Sequence, residues 1–182
     1  MSIDMNTASS ISPLKLNLGC RNEILEDYIN IDIDKLNIYD KNDQIKPVVI
    51  QMNAMDIDRY FIVGSVDKII ARHFFEHLSH EEITILLYKI WSILKTNGEL
   101  YIAVPDFQRI LEHYVAEHKM QNFANVDVLH SRLFGIADES LHKTVWTSEI
   151  GVFYLTRENF FVLDSIEKVE DELELRFYCH KQ

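Results

Sequence analysis

A chain of 182 residues with 47% hydrophobic content is long enough for one domain with its own core. Its formal charge of −11, scattered rather than blocked, makes a surface that repels polyanions and disfavours nucleic acid as a partner. No apolar run approaches the roughly 20 residues a bilayer span needs, which disfavours a membrane protein. Residues 1–12 lack the cationic start and apolar core of a signal peptide and read as a flexible polar tail, with residues 13–182 as a single domain. Cys20 and Cys179 make no disulfide framework, and reduced thiols in a cytoplasmic protein are the expectation.

Apolar runs alternate with helical segments, the pattern of βαβ units and a mostly parallel sheet. The strands expected are Leu14–Leu18, Tyr28–Ile33, Val48–Met52, Val66–Ala71 and Leu100–Val104. Between the last two lies a helix over His80–Lys95, with Ile83, Leu86, Leu87, Ile90 and Leu94 at helical spacing. Ser79 is its N-cap, Glu81 and Glu82 favour its dipole, and Thr96-Asn97-Gly98 is its stop. Residues 106–120 and Ser148–Phe161 read as helices. Val162–Val169 and Leu173–Cys179 read as a closing hairpin with its last strand antiparallel to its neighbour. Only thirteen residues separate Gly19 from Asp32, room for a very short first helix at most. The expected fold is therefore α/β, a trimmed Rossmann-like doubly wound sheet with a C-terminal antiparallel hairpin.

The most informative stretch is Lys15–Arg21 followed by Ile29–Asp34. A buried strand breaks at Gly19, and a second strand ends in Asp32. In α/β sheets, backbone approaches a nucleotide at such a glycine, and a carboxylate at the next strand's tip receives ribose hydroxyls. Further blocks follow in order: Glu76-His77-Leu78, Ile93-Leu94-Lys95, Gly98-Glu99-Leu100 and Val104-Pro105-Asp106-Phe107. With these blocks the chain resembles the class I S-adenosylmethionine-dependent methyltransferases, in a small subgroup patterned LNLGCG, NIDID, EHL, LKPGG and VPDF, over roughly residues 14–107.

That resemblance implies S-adenosylmethionine as cofactor, held by the Leu18-Gly19-Cys20 backbone, by Asp32 and Ile33, and by Asn53-Ala54-Met55 near the adenine, with Arg21, Arg72 and His73 also in reach. Asn53 stands where the family usually has Asp, and its alternative role is a turn residue after the third strand. Arg21 stands where the subgroup has a second glycine; positive φ there would cost about 1 kcal/mol or more, unless its cation meets the cofactor's carboxylate. This departure motivates a catalytically silent relative, acting as a binding module or partner subunit, as the alternative to an enzyme.

His73, just beyond the fourth strand, is placed to act as a base toward a hydroxyl. Asp106 either faces the acceptor or caps the following helix. His142 falls in residues 125–147, read as an acceptor-side insertion, and is a third candidate catalytic residue, in a stretch Leu141-His142-Lys143 that resembles a short His-containing segment of the subgroup. The aromatics Tyr114, Phe123, Phe134, Trp146 and Phe153 are either pocket walls or core. His73-Phe74-Phe75-Glu76-His77 formally matches H-x-x-E-H, but it follows directly on a strand, which opposes the metalloprotease reading. It also resembles the E-x-x-E-H turn of metal-dependent O-methyltransferases. That resemblance implies His73, Glu76 and His77 as ligands suited to Zn²⁺ over Mg²⁺, against the alternative of a metal-free loop, which is the reading adopted. The acceptor expected is a small molecule with a hydroxyl or amine, such as a sugar or secondary metabolite, and a homodimer or partner subunit stays open.

Overall fold

Strand β1 (Lys15–Leu18) pairs in parallel with β2 (Ile29–Asp32) on one side and with β4 (Val66–Arg72) on the other. β3 (Val49–Gln51) extends the sheet beyond β2, and β5 (Leu94–Pro105) extends it beyond β4. β7 (Glu174–Lys181) then enters antiparallel between β5 and β6 (Phe161–Val169), giving the order β3-β2-β1-β4-β5-β7-β6. The computed structural model describes residues 13–34, 49–116, 123–135, 141–169, 171 and 173–182, with side chains 115–116, 123–126 and 132 excepted. The predicted tail over residues 1–12, the first residue of the third predicted strand, and residues 117–120 of the predicted helix lie outside them.

The sheet winds outward from β1 in both directions, so the crevice at the carboxyl ends of β1 and β4 is a topological switch point. Leu16, Asn17 and Leu18 are all buried, as are Asn30, Ile31 and Asp32, the continuous burial of central parallel strands. No helix intervenes between these strands: residues 19–28 are turns. A buried amide pair takes its place. Asn17 Nδ2 donates to Asn30 Oδ1 at 2.9 Å and to Glu23 O at 2.7 Å, while Asn30 accepts from Leu25 N and donates to Leu25 O and Tyr28 O. The turn's backbone groups find partners in these two side chains instead of in a helix.

Helix α1 (His80–Ile93) starts on a capping box: Ser79 Oγ accepts from Glu82 N, and Glu82 Oε2 accepts from Ser79 N at 2.7 Å. It ends two residues short of the expected Lys95, because Leu94 already pairs with Val66 as strand. The chain then bulges through residues 95–98, with Asn97 at φ +60°, before Glu99 rejoins Lys68.

Helices α2 (Phe107–Ala116) and α3 (Phe123–Phe134) share a small apolar cluster of Ile110, Leu129, Leu133 and Leu173. α4 (Ser148–Thr156) is capped by Thr147 and joins the main core through Tyr154 and Leu155. It stops before the predicted Phe161, since Glu158 and Asn159 adopt left-handed backbone and Phe161 opens β6. Trp146 is 1% exposed against Phe75, Tyr154 and Phe177, a core residue. Phe134 and Phe153 are exposed, and Phe123 lies outside the described side chains.

Candidate functional site

At the carboxyl ends of the central strands lie two adjoining cavities, of about 470 Å³ and about 280 Å³, which share Gly19, Arg21, His73 and His77 in their walls. Gly19 has φ +63°, and a Cβ there would stand 2.4 Å from the Phe74 ring, so both the backbone and the packing require glycine. Arg21 also has positive φ, at 41°, a strained value for a branched-free side chain of its length. That conformation has a use: Arg21 N donates to Asp32 Oδ2 at 2.8 Å, and Asp34 N donates to Oδ1 at 3.0 Å. The Asp32 carboxylate, 6% exposed, is thus fixed at the tip of β2 with further acceptor capacity on each oxygen.

Asp32, Ile33, Asn53, Ala54 and Met55 line the smaller cavity together with Gly19, Arg21 and His73. Ile33 is 63% exposed there, an apolar surface near Phe74 and Leu78 in the same wall. Asn53 Oδ1 accepts from Met55 N at 2.9 Å and caps the 3₁₀ turn Ala54–Arg59, the turn role considered for it. Cys20 and Arg72 line the larger cavity. Leu18 is fully buried beneath them and lines neither. The Cys20 thiol is pushed up to about 11 by burial and then by the Asp32 charge, so it is inert near neutrality.

His73 departs most from expectation. It sits at φ +48°, with Nε2 2.8 Å from Glu174 Oε2 and Nδ1 3.4 Å from Glu76 Oε1. The Glu174 interaction, then the Glu76 interaction, raise its pKa to about 9. The two carboxylates favour the imidazolium at neutral pH, which weighs against the role as a base read for His73. On the other side of the pair, burial alone would raise the Glu174 carboxyl, but His73 and Arg176 more than offset it and hold it below the usual range. Glu174 was not singled out from the sequence. The alternation Leu173, Leu175, Phe177, Cys179 assigns it to the opposite, polar face of its strand, yet its burial at the cleft follows from pairing opposite Pro105.

Asp106 is 2% exposed, and its Oδ1 accepts from Arg109 N at 3.2 Å. It caps α2 and lines neither cavity, which corrects its candidacy as an acceptor-facing group. His142 does line the larger cavity, with Ser131 and Gly135. The segment that carries it is tied down by Lys143 N and Thr144 N, both donating to Glu76 O, and by Phe107 N donating to Trp146 O. Burial lowers the His142 pKa, keeping the ring neutral.

The motif His73 to His77 holds no helix of the metalloprotease kind, since Phe75–His77 is a single 3₁₀ turn. Its predicted ligand set is also regrouped: His73 turns to the two glutamates, while Glu76 and His77 converge on His142, their potential ligand atoms lying within 4.8 Å of one another. Among the described residues no helix is long and apolar enough to cross a membrane, and both cysteines are free and buried.

Residues 14–102 match the family model described as a methyltransferase domain. No curated protein matches the chain. Among solved structures, an S-adenosylmethionine-dependent methyltransferase from Methanosarcina mazei is 16% identical with a TM-score of 0.61, the match covering 92% of each chain. A Haloferax volcanii methyltransferase in complex with the Trm112 methyltransferase activator is 13% identical, with a TM-score of 0.61 over 93% of this chain and 83% of that one. The magnesium protoporphyrin IX methyltransferase of Synechocystis, with bound S-adenosylmethionine, is 9% identical, with a TM-score of 0.57 over 94% and 71%. At these identities the likeness is one of fold. With the family model covering β1 through most of β5 and the sheet order completing the same architecture, residues 14–102 form a methyltransferase domain, and the chain has the fold of the class I S-adenosylmethionine-dependent methyltransferases.

Proposed function

We propose that the chain transfers a methyl group from S-adenosylmethionine to a hydroxyl or amine of a small molecule, with sugars and secondary metabolites as the first acceptors to try. The observation that carries this reading is the pair of cavities meeting at the Gly19 turn, with the fixed Asp32 carboxylate in the wall of one and the His142 segment in the wall of the other. The residues fit the cofactor. Asp32 retains acceptor capacity for a vicinal diol, Ile33, Met55 and Phe74 offer apolar surface to a base, and the Gly19 turn leaves backbone uncovered by a side chain of its own.

The cofactor supplies an electrophilic methyl on a sulfonium, so the protein's part is positioning and exclusion of water. Asp32, with Arg21 N and Asp34 N behind it, orients the ribose side of the cleft. The Arg21 guanidinium, exposed and without an ion pair among the described residues, suits a carboxylate at the methionine end. Ser131, Gly135 and His142 support the reading of residues 125–147 as the acceptor side, although residues 136–140 lie outside those described. The silent-subunit alternative loses its main motive, because the Arg21 backbone serves the Asp32 carboxylate rather than disabling it.

The test is calorimetric titration of the full chain with S-adenosylmethionine, followed by labelled-methyl transfer to a panel of hydroxyl and amine acceptors. One-to-one binding that Asp32→Asn weakens by about a hundredfold is expected. Equal affinity in that variant removes Asp32 from the site, and binding without transfer to any acceptor class overturns the catalytic reading.

A further inference from the structure

Glu76, His77 and His142 come from two separated segments, and their positions follow from backbone ties. Lys143 N donates to Glu76 O at 2.8 Å and Thr144 N donates to the same oxygen at 3.1 Å. This lays residues 142–144 along the 3₁₀ turn at Phe75–His77. The two imidazoles meet edge to face, with ring centroids 5.0 Å apart.

Each imidazole is held in one tautomer. His77 Nδ1 lies 3.2 Å from Leu141 O, and His142 Nδ1 lies 3.2 Å from Leu133 O. A carbonyl oxygen only accepts, so each Nδ1 carries the proton and each Nε2 carries a lone pair. A backbone carbonyl behind Nδ1 is the arrangement that orients histidine for a cation at Nε2. The third donor is a carboxylate. Glu76 is 2% exposed, its Oε1 turns toward His73 at 3.4 Å, and its Oε2 has no hydrogen-bond partner among the described residues. A buried carboxylate oxygen left unpaired is costly unless something positive meets it. The three side chains place their potential ligand atoms within 4.8 Å of one another and line the larger cavity.

We propose that Glu76, His77 and His142 form a binding site for a divalent cation of the zinc–iron class, open on the side of the larger cavity. Two imidazoles and one carboxylate suit Zn²⁺ or Fe²⁺ rather than Mg²⁺ or Ca²⁺, which favour oxygen donors. Three protein ligands leave coordination positions for an outside oxygen, as in sites that engage a substrate rather than brace a fold. The site stands on its own donors. Its use rests on the methyl-transfer reading: an ion there holds a hydroxyl-bearing acceptor, which narrows the acceptor class from hydroxyls and amines to hydroxyls.

The experiment is titration of the full chain, stripped with a chelator, with Zn²⁺ by calorimetry and with Co²⁺ by visible absorption. Expected are one equivalent per chain, a Co²⁺ spectrum of nitrogen and oxygen coordination, and affinity lowered at least about tenfold in both Glu76→Gln and His142→Gln. His180→Ala, at the other end of the sheet beside Asp164, and Asp32→Asn should both bind the cation as the unaltered chain does. Folding of each variant is checked by circular dichroism, and two ligand variants keep the test usable should one unfold. A folded chain that takes up no Co²⁺ in molar excess overturns the site, as does uptake unchanged in both ligand variants. Loss of cofactor binding in Asp32→Asn with cation uptake intact separates failure of this site from failure of the methyl-transfer reading.

Discussion

His73 Nε2 lies 2.8 Å from Glu174 Oε2, an ion pair that joins the end of β4 to the first residue of β7 across the floor of the cleft. Glu76 lies on the other side of the same ring at 3.4 Å. One imidazolium thus separates two buried carboxylates that would otherwise repel each other.

This arrangement predicts a pH dependence. In the unfolded chain His73 titrates near 6.5, and in the folded chain near 9, so the folded state binds more protons between those values. The pair's contribution is fully present below the lower value and is lost as pH rises through the upper one. Solvent screening of the half-exposed ring discounts the size of that contribution without changing its sign. Urea unfolding with chelator present, compared with His73→Gln, should show the difference between the two proteins shrinking from pH 6.5 to pH 9. A constant difference would show that the histidine is neutral in the folded chain.

Gly19→Ala should damage both fold and site. The added methyl meets the Phe74 ring at 2.4 Å in a backbone conformation that alanine resists. A loss of about 1–3 kcal/mol is expected, with cofactor affinity falling alongside. Gly19→Ala combined with Phe74→Ala relieves the clash alone, so chemical denaturation should recover only part of the loss.

Asn30→Ala removes the acceptor for Asn17 Nδ2 and Leu25 N and the donor to two carbonyls. Orphaned buried groups of this kind cost roughly 1–3 kcal/mol. Amide hydrogen exchange should quicken over residues 20–28 well before the distant β6–β7 hairpin is affected. Uniform quickening across the sheet would mean that the pair braces the whole fold rather than the turn.

Gly151→Ala sets two effects against each other. Alanine is favoured over glycine inside a helix by about 1 kcal/mol, but a Cβ here would stand 2.1 Å from Phe177 Cζ in the core. Overpacking of about 1–3 kcal/mol should win, and the thermal midpoint should drop. Adding Phe177→Leu should return part of the loss, giving a measurable coupling energy in a double-mutant cycle.

The strands and their order of appearance were legible because parallel strands buried on both faces read as apolar runs. Gly19 and Asp32 were legible because a strand break and an acidic strand tip leave local marks. The edges of α1 and α4 were not. Leu94 continues the helical spacing of α1 yet pairs with Val66, a tertiary preference that periodicity cannot carry. The place of His73 beyond the fourth strand follows from local pattern, but the contact with Glu174 that favours its charged form comes from about a hundred residues away in the chain, where no local pattern marks it. His142 was noticed as a loop histidine, and its convergence on Glu76 and His77 follows from backbone bonds to Glu76 O that no local pattern marks.

The insertion of β7 between β5 and β6 has a temporal consequence. On a ribosome the first five strands emerge before the strand that pairs along β5 and supplies Glu174. Until then β5 presents an unsatisfied edge, and His73 lacks its principal counter-charge. The cleft's final electrostatic state therefore waits on β7, which enters between β5 and the already-made β6, rather than building up in strand order.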